Sequence, residues 1–331
     1  VPKEADSLFA SFAAMRRLLL LLALSCCLPA CAQTYPSRPV TLVVPFTANG
    51  PTDTIARAVA AAMAKQLKQA VVVENVGGAG GTVGSAQVAD SAPDGYTVLI
   101  HHIGMATSPA QYPKLPFDPL HDFEYIGEVT DVPMTLVARA DFPARDFAAL
   151  RGYLKARHNQ VTLAHAGPGS AAHLCGQLLM AALGTELKTA AYKGTGPAMD
   201  DLLTGKVDLL CDQTTNTTAQ IRAGKVQPLG ISTARRIRSL PQIPTFQEGG
   251  LKHFEVAVWH ALYVPRGTPP AVVARLTEAL NAALDDSSFK ARLNDLGTDP
   301  VPHAKATSQY ALQHLAAEIR RWAPIVGRAG P

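Results

Sequence analysis

Charge of one sign is scarce in this 331-residue chain, where 30 basic and 26 acidic residues leave a formal net charge of +4. That excess is spread along the sequence, so the concentrated positive field that nucleic-acid binding requires is missing and nucleic acid is excluded as a partner. Long apolar runs are missing beyond residue 32. Nothing later approaches the roughly 18 to 20 apolar residues of a membrane-spanning helix, which predicts no such helix in the mature chain. No repeat at the roughly 20- to 50-residue periods of solenoids is visible, and no low-complexity linker separates two halves. Any second domain is therefore expected to be inserted into the first by chain crossovers. Cysteine is sparse too: of five, Cys26, Cys27 and Cys31 fall near the start, leaving Cys175 and Cys211. Two scattered cysteines on apolar stretches are more commonly buried than bonded, but an oxidising compartment permits a bridge, so pairing stays open.

What is present suits a two-domain α/β protein: 47% hydrophobic and 17% charged residues, with length enough for two cores. Near the start, Met15-Arg16-Arg17 precedes LLLLLALSCCLPACAQ, giving a positive segment, a short apolar core and an Ala-x-Ala-like site ending at Ala32. This is the pattern of an export signal near residues 15–32, and it predicts a periplasmic protein. Glu4 and Asp6 are out of place ahead of such a signal, so Met15 is the expected initiator, and residues 1–32 are set aside as upstream extension and signal peptide. In a second reading, Leu28-Pro29-Ala30-Cys31 is a lipidation box that anchors Cys31, although proline is unusual at that place.

From Tyr35 onward, short β-branched runs alternate with helical patterns, the mark of parallel-sheet architecture. VTLVV (40–44) reads as a buried strand, Ile55, Val59, Met63 and Leu67 recur at helical spacing, and VVVEN begins the next strand at Val71. Further strands are expected at 97–100, 134–139, 161–165, 188–192, 207–211, 228–231 and 257–264. After Pro265 the pattern turns helical, predicting a helical C-terminal region. Crossovers are placed near Pro133 and Trp259. One domain then holds residues 36–132 plus 262–331, and the other holds 133–261.

Four glycine-containing loops each follow an expected strand and open an expected helix: PFTANGPTD, ENVGGAGGTVG, HAGPGSAAH and YKGTGPAMDD. Glycine lets backbone approach a ligand, and the free N–H groups of the following helix favour an anion. Any one of these loops could be plain turn chemistry. Four together point to a cleft beyond the carboxyl ends of the strands. In the first loop, Thr52 or Asp53 is expected to cap a helix starting near Thr54. Gly78, Gly80 and Gly84 miss the spacing of a dinucleotide fingerprint, and no cofactor is expected. Ser170 lacks the glycine two places on that a nucleophile elbow needs and reads as a helix cap. His173 and Cys175 point in different directions on one helix, and His101 and His102 on opposite faces of one strand, so neither pair forms a metal site. For the histidine pair, one buried and one exposed ring competes evenly with a ligand contact.

Taken in order, YPSRPVTLVVPFTANGPTDTIAR, VVVENVGGAGGTVGSAQVADSAPDGYTVLI, YPKLPFDPLHDFEYIG, AYKGTGPAMDDLLTGKVDLLCD and VPRGTPPAVVARL resemble the Bug family of tripartite tricarboxylate transporter (TctC-like) receptors, from Tyr35 to the C-terminus. The resemblance implies a two-lobed α/β periplasmic-binding-protein fold (type II, Venus flytrap) with crossover strands. It also implies a monomer that binds a small organic carboxylate and hands it to the membrane subunits of a tripartite transporter. Carried over by the same resemblance, ligand contact falls on Asn49, Gly50, Pro51, Thr52 and Asp53, on Gly80 and Gly81, and on Ala106 and Thr107. In the other lobe it falls on Gly169, Ser170, His173, Lys193, Gly194, Thr195 and Asp212. The chain departs from the family at Asn49, which replaces the first of two glycines and is expected to add an amide to the pocket, and at His101-His102, where many relatives carry small residues.

Two other functions compete with a transport receptor. An exported sensor module would use the same cleft to report a carboxylate to a signalling protein, and the sequence does not separate the two. An exported hydrolase would rest only on Ser170, His173 and Asp212 lying on neighbouring loops, with no nucleophile matched to a base. The expectation is therefore a non-enzyme.

Overall fold

Among the described residues, nine strands, β1 (Val40–Val44), β2 (Val71–Asn75), β3 (Thr97–His102), β4 (Phe123–Arg139), β5 (Thr162–His165), β6 (Lys188–Ala191), β7 (Leu209–Gln213), β8 (Val226–Ile231) and β9 (Ala257–Pro265), share one sheet in the order β2-β1-β3-β9-β4-β7-β5-β6, with β8 also paired to β4. This computed structural model describes residues 35–251 and 254–326, so the export signal and lipidation box fall outside the described residues. Residues from Arg38 onward form one compact unit, which is the subject below.

In the first half, β1 (Val40–Val44), β2 (Val71–Asn75) and β3 (Thr97–His102) are parallel. β1 is buried along almost its whole length, so it reads as a continuous apolar run rather than an alternating one. α1 (Pro51–Leu67) crosses from β1 to β2 and buries Ile55, Val59, Met63 and Leu67 on one face. Gly50 is its N-cap, in place of the expected Thr52 or Asp53. With Pro51 fixing the first turn, the helix begins three residues earlier than Thr54. α2 (Thr82–Ala89) and α3 (Gly104–Gln111) follow β2 and β3.

The second half holds β5 (Thr162–His165), β6 (Lys188–Ala191) and β7 (Leu209–Gln213), parallel to one another, with α4 (Phe147–Arg157) preceding them. Three helices follow these strands: α5 (Ala171–Leu183), α6 (Thr195–Leu203) and α7 (Thr214–Arg222). β8 (Val226–Ile231) lies beside β4. Cys175 of α5 and Cys211 of β7 are bonded, which resolves the open pairing.

The halves are joined through β4 (Phe123–Arg139), which pairs with β9 (Ala257–Pro265) as far as Pro133, with β7 from Met134 and with β8 from Thr135. The C-terminal helices α8 (Pro270–Asp285), α9 (Ser287–Asp295) and α10 (Ser308–Val326) return to the first half, where α8 packs on α1 and α10 on α3 and β4. Among the described residues, no helix is long and apolar enough to cross a membrane.

Candidate functional site

Four helix N-termini meet at one cavity between the halves. Gly50, Pro51 and Thr52 open α1; Ser170, Ala171 and Ala172 open α5; Thr195 opens α6; and Asp212 and Gln213 precede α7. Phe46, His102 and Ala166 complete the lining, and only about 10 Å³ is left for the centre of a water molecule, so the two halves are closed on each other. An α-helix cannot satisfy its own first N–H groups, and its dipole places partial positive charge there. Four such ends aimed at one point favour an anion, and among the described residues no lysine or arginine lines the cavity.

Each end is set by local sequence. Ser170 has the extended backbone of an N-cap, its Oγ accepting from His173 N at 3.2 Å and donating to Gly167 O at 2.7 Å. Gln213 and Gly194 are also extended at the caps of α7 and α6. In the loop before α1, Asn49 adopts φ 63°, which asparagine tolerates better than most residues.

Three buried histidines stand behind the α1 end. His102 stacks on Phe46 with centroids 4.7 Å apart and meets His101 and His260 edge-on. Burial, with neighbouring histidine charge, holds His101 down to about 3 and His102 well below its ordinary value, and burial alone holds His260 down to about 3, so all three are neutral. Their tautomers follow from their partners. Gly104 N donates to His102 Nδ1 at 2.9 Å, which leaves the ring proton on Nε2. His260 Nδ1 donates to Val258 O at 3.1 Å and its Nε2 accepts from Thr52 Oγ1 at 3.3 Å. His102 thus offers the cavity a neutral N–H donor.

On the opposite wall, Asp212 is almost fully buried. Its oxygens accept from Gln213 N at 2.8 Å and Asn216 Nδ2 at 2.6 Å. Burial raises its pKa to about 6, against the pull of Asn216, the Gln213 N–H and the nearby Thr195 hydroxyl. The Thr195 hydroxyl lies close enough to lower Asp212 but makes no hydrogen bond of good geometry.

The halves also touch directly. Thr107 Oγ1 donates to Gly169 O at 2.6 Å, and Tyr112 OH donates to Pro168 O at 2.8 Å. Gly80 sits so close to Pro168 that a Cβ there would lie 1.9 Å from its carbonyl oxygen.

Of the residues carried over from the sequence, the cavity gathers Gly50, Pro51, Thr52, Ser170, Thr195 and Asp212. Others stand elsewhere. Gly80, Thr107 and Gly169 form the contact between halves, and Gly81 packs against His101. Ala106 is buried in α3, and Gly194 lies against Thr47. His173 rests on His165 at the first turn of α5, its pKa held down to about 4 by burial and by His165. Asp53 is turned away from the cavity, accepting from Arg57 Nε at 2.9 Å, Asn75 Nδ2 at 3.0 Å and Asn49 N at 3.0 Å. Asn49 and Lys193 are exposed, so the expected extra amide does not reach the pocket: the turn at Asn49 aims its N–H at Asp53 and its side chain at solvent. His101 and His102 are both buried, contrary to the split of one buried and one exposed, because β3 lies inside the sheet with both faces covered. Phe46, Ala166 and Gln213 were not singled out from sequence. Gln213 had a usable signal, since it caps the helix directly after Asp212.

Residues 55–330 match the tripartite tricarboxylate transporter family receptor. The chain belongs to this receptor family. A protein from Agrobacterium vitis, named for the TAR-I ttuE-ttuC' intergenic region, is 49% identical over 90% of this chain and 86% of its own length. Among solved structures, the periplasmic binding protein BugD superimposes with a TM-score of 0.87 at 46% identity, covering 89% of this chain and 98% of BugD. MatC from Rhodopseudomonas palustris, solved with bound malate, gives a TM-score of 0.85 at 39% identity, covering 88% of this chain and all of MatC. The receptor therefore has the two-lobed periplasmic-binding-protein fold, with the four helix ends gathered between its lobes.

Proposed function

We propose that this receptor works in the periplasm as a monomer, closing its lobes around a small organic carboxylate, leaving it chemically unchanged and delivering it to the membrane subunits of a tripartite tricarboxylate-type transporter. One lobe is assigned residues 36–132 and 262–331 and the other 133–261. The change of β4 partners after Pro133 supports that division.

The observation that carries the reading is the convergence of four helix N-termini on a closed cavity without a lysine or arginine. Micromolar binding requires about 8 kcal/mol, and a hydrogen bond to a charged group supplies about 1.5 to 3 kcal/mol. Four to six donors suffice, and the helix ends with His102 can provide them. The malate in MatC supports the ligand class.

The test is a thermal-shift screen of the mature protein against amino, dicarboxylic, tricarboxylic and aromatic acids, each beside its amide, because a ligand that binds only the folded state raises Tm. A rise with an acid and not with its amide is expected. A bound acid recovered chemically changed would overturn the receptor reading.

A further inference from the structure

The cavity has an acceptor side as well as a donor side. Among the described residues, Asp212, 1% exposed, is the only carboxyl group lining it, and no lysine or arginine faces it across the space. Each of its oxygens accepts one hydrogen bond and retains acceptor capacity. Among the described residues, Gln213 Oε1 of the same lining is buried with no hydrogen-bond partner, and the Thr195 hydroxyl beside Asp212 makes no hydrogen bond of good geometry. Buried polar atoms are nearly always satisfied, so these mark the place where a bound group completes the network. A plain carboxylate cannot satisfy Gln213 Oε1, because its oxygens only accept, and beside Asp212 they would set two like charges together out of water.

Resting on the carboxylate-receptor reading, we propose that Asp212, with Thr195 and Gln213, forms a donor-reading subsite that selects carboxylates bearing a hydroxyl or ammonium group beside the carboxylate over the unsubstituted acid. The helix ends and the His102 N–H take the carboxylate, while the substituent turns its hydrogen to Asp212. Burial raises Asp212 only to about 6, so it remains an acceptor at neutral pH. The helix ends and Asp212 line one small cavity, so the group that donates to Asp212 lies beside the carboxylate that the helix ends take.

The experiment is calorimetric titration of the mature protein with two matched trios: succinate, malate and aspartate, then glutarate, 2-hydroxyglutarate and glutamate. We expect at least one substituted acid to bind roughly tenfold or more tighter than its unsubstituted parent, the worth of one charge-assisted hydrogen bond. The preferred member identifies the donor as hydroxyl or ammonium. Asp212→Asn is expected to erase the preference, with the larger loss for an ammonium ligand. The wild-type comparison stands by itself if that variant does not fold, and Gln213→Leu serves as a second variant, expected to narrow the preference. Parents that bind as tightly as both of their substituted partners would overturn the subsite and leave the carboxylate receptor standing. A preference that survives Asp212→Asn also overturns the subsite, and an absence of binding by all six acids overturns both.

Discussion

Replacing Gly80 by alanine tests whether lobe closure as seen here is what binds the ligand. Gly80 adopts φ 64° in the loop after β2, and an added Cβ would stand 1.9 Å from the carbonyl oxygen of Pro168, backbone of the opposite lobe that cannot swing aside. Two costs separate. The left-handed backbone costs alanine about 1 kcal/mol whether the lobes are open or closed, so it lowers Tm without touching affinity. The overlap exists only in the closed state. Relieving it moves Gly80 away from Pro168, at the expense of the adjacent bonds from Thr107 to Gly169 O and from Tyr112 to Pro168 O. At about 1 kcal/mol each, their loss amounts to about 2 kcal/mol, or roughly thirtyfold weaker binding. Gly184→Ala is the control: its φ is 59°, but a Cβ there meets nothing within 4 Å. Both variants should melt a few degrees lower. In calorimetric titration with an acid found by the screen, only Gly80→Ala should lose affinity. Affinity within about twofold of the Gly184→Ala control would show that binding does not need this approach of the lobes, and the reasoning from the contact would be wrong.

Three other measurements probe separate parts of the molecule. The Cys175–Cys211 bond spans 36 residues of chain, a loop whose closure is worth about 4 kcal/mol, so Cys175→Ala/Cys211→Ala or added reductant should lower Tm by several degrees, and an unchanged Tm would show that the bond constrains nothing. His314 of α10 pairs with buried Glu128 of β4: burial pulls the imidazole down, but the hydrogen bond and charge of Glu128, with Glu318 and Asp131, raise it above its ordinary value. Its stabilisation is complete below the unfolded value of 6.5 and is lost as pH rises through the higher folded value, so Tm should fall as pH rises above 6.5 more in wild type than in His314→Gln; parallel curves would refute the pairing. His102→Leu removes the neutral donor facing the cavity and should weaken carboxylate binding about tenfold while the His101–His260 contacts to backbone persist, and titration of the variant checks it.

Strands were legible where β-branched residues dominate. VTLVV read directly because a parallel strand inside a sheet needs only β-branched bulk, and VVVEN, an edge strand with no fully buried residue, read from its run of valines. β4 was visible only from Met134. Its first part is interrupted by Glu124, Gly127, Glu128, Asp131 and Pro133, residues that locally argue against a strand. In the structure most of these interruptions are long-range contacts: Glu128 with His314, Asp131 with Lys305 at 2.7 Å, and Gly127 at φ 157° under Ala306, where a Cβ would lie 2.6 Å from backbone. The register of β4 against β9 also shifts after Tyr125 and after Glu128. None of this shows in a local window, because the side-chain partners lie 174 and 186 residues away. The loops of the site were legible for the opposite reason: each needs turn and cap residues at a strand–helix junction. Which of their residues turn inward was not. Asn49 and Lys193 look like ligand groups and face solvent, whereas Phe46 and Ala166 carry no polar signal and line the cavity.

The division of the site between lobes gives closure its energetic meaning in the receptor reading. The ends of α5, α6 and α7, together with Asp212, belong to the half built on β5–β8, while the other half contributes the end of α1, Phe46 and His102. An open molecule therefore keeps three of the four converging helix ends, enough to attract an anion but with one side left to water, where each donor is worth little. Closing brings the fourth end and a neutral imidazole donor against the ligand and expels the water. Because the added groups carry no net charge, closure holds the carboxylate by dipoles, without an ion pair to that group that would have to be broken for release. A site of this kind can be emptied by separating the lobes, which is what a receptor that must give up its ligand requires.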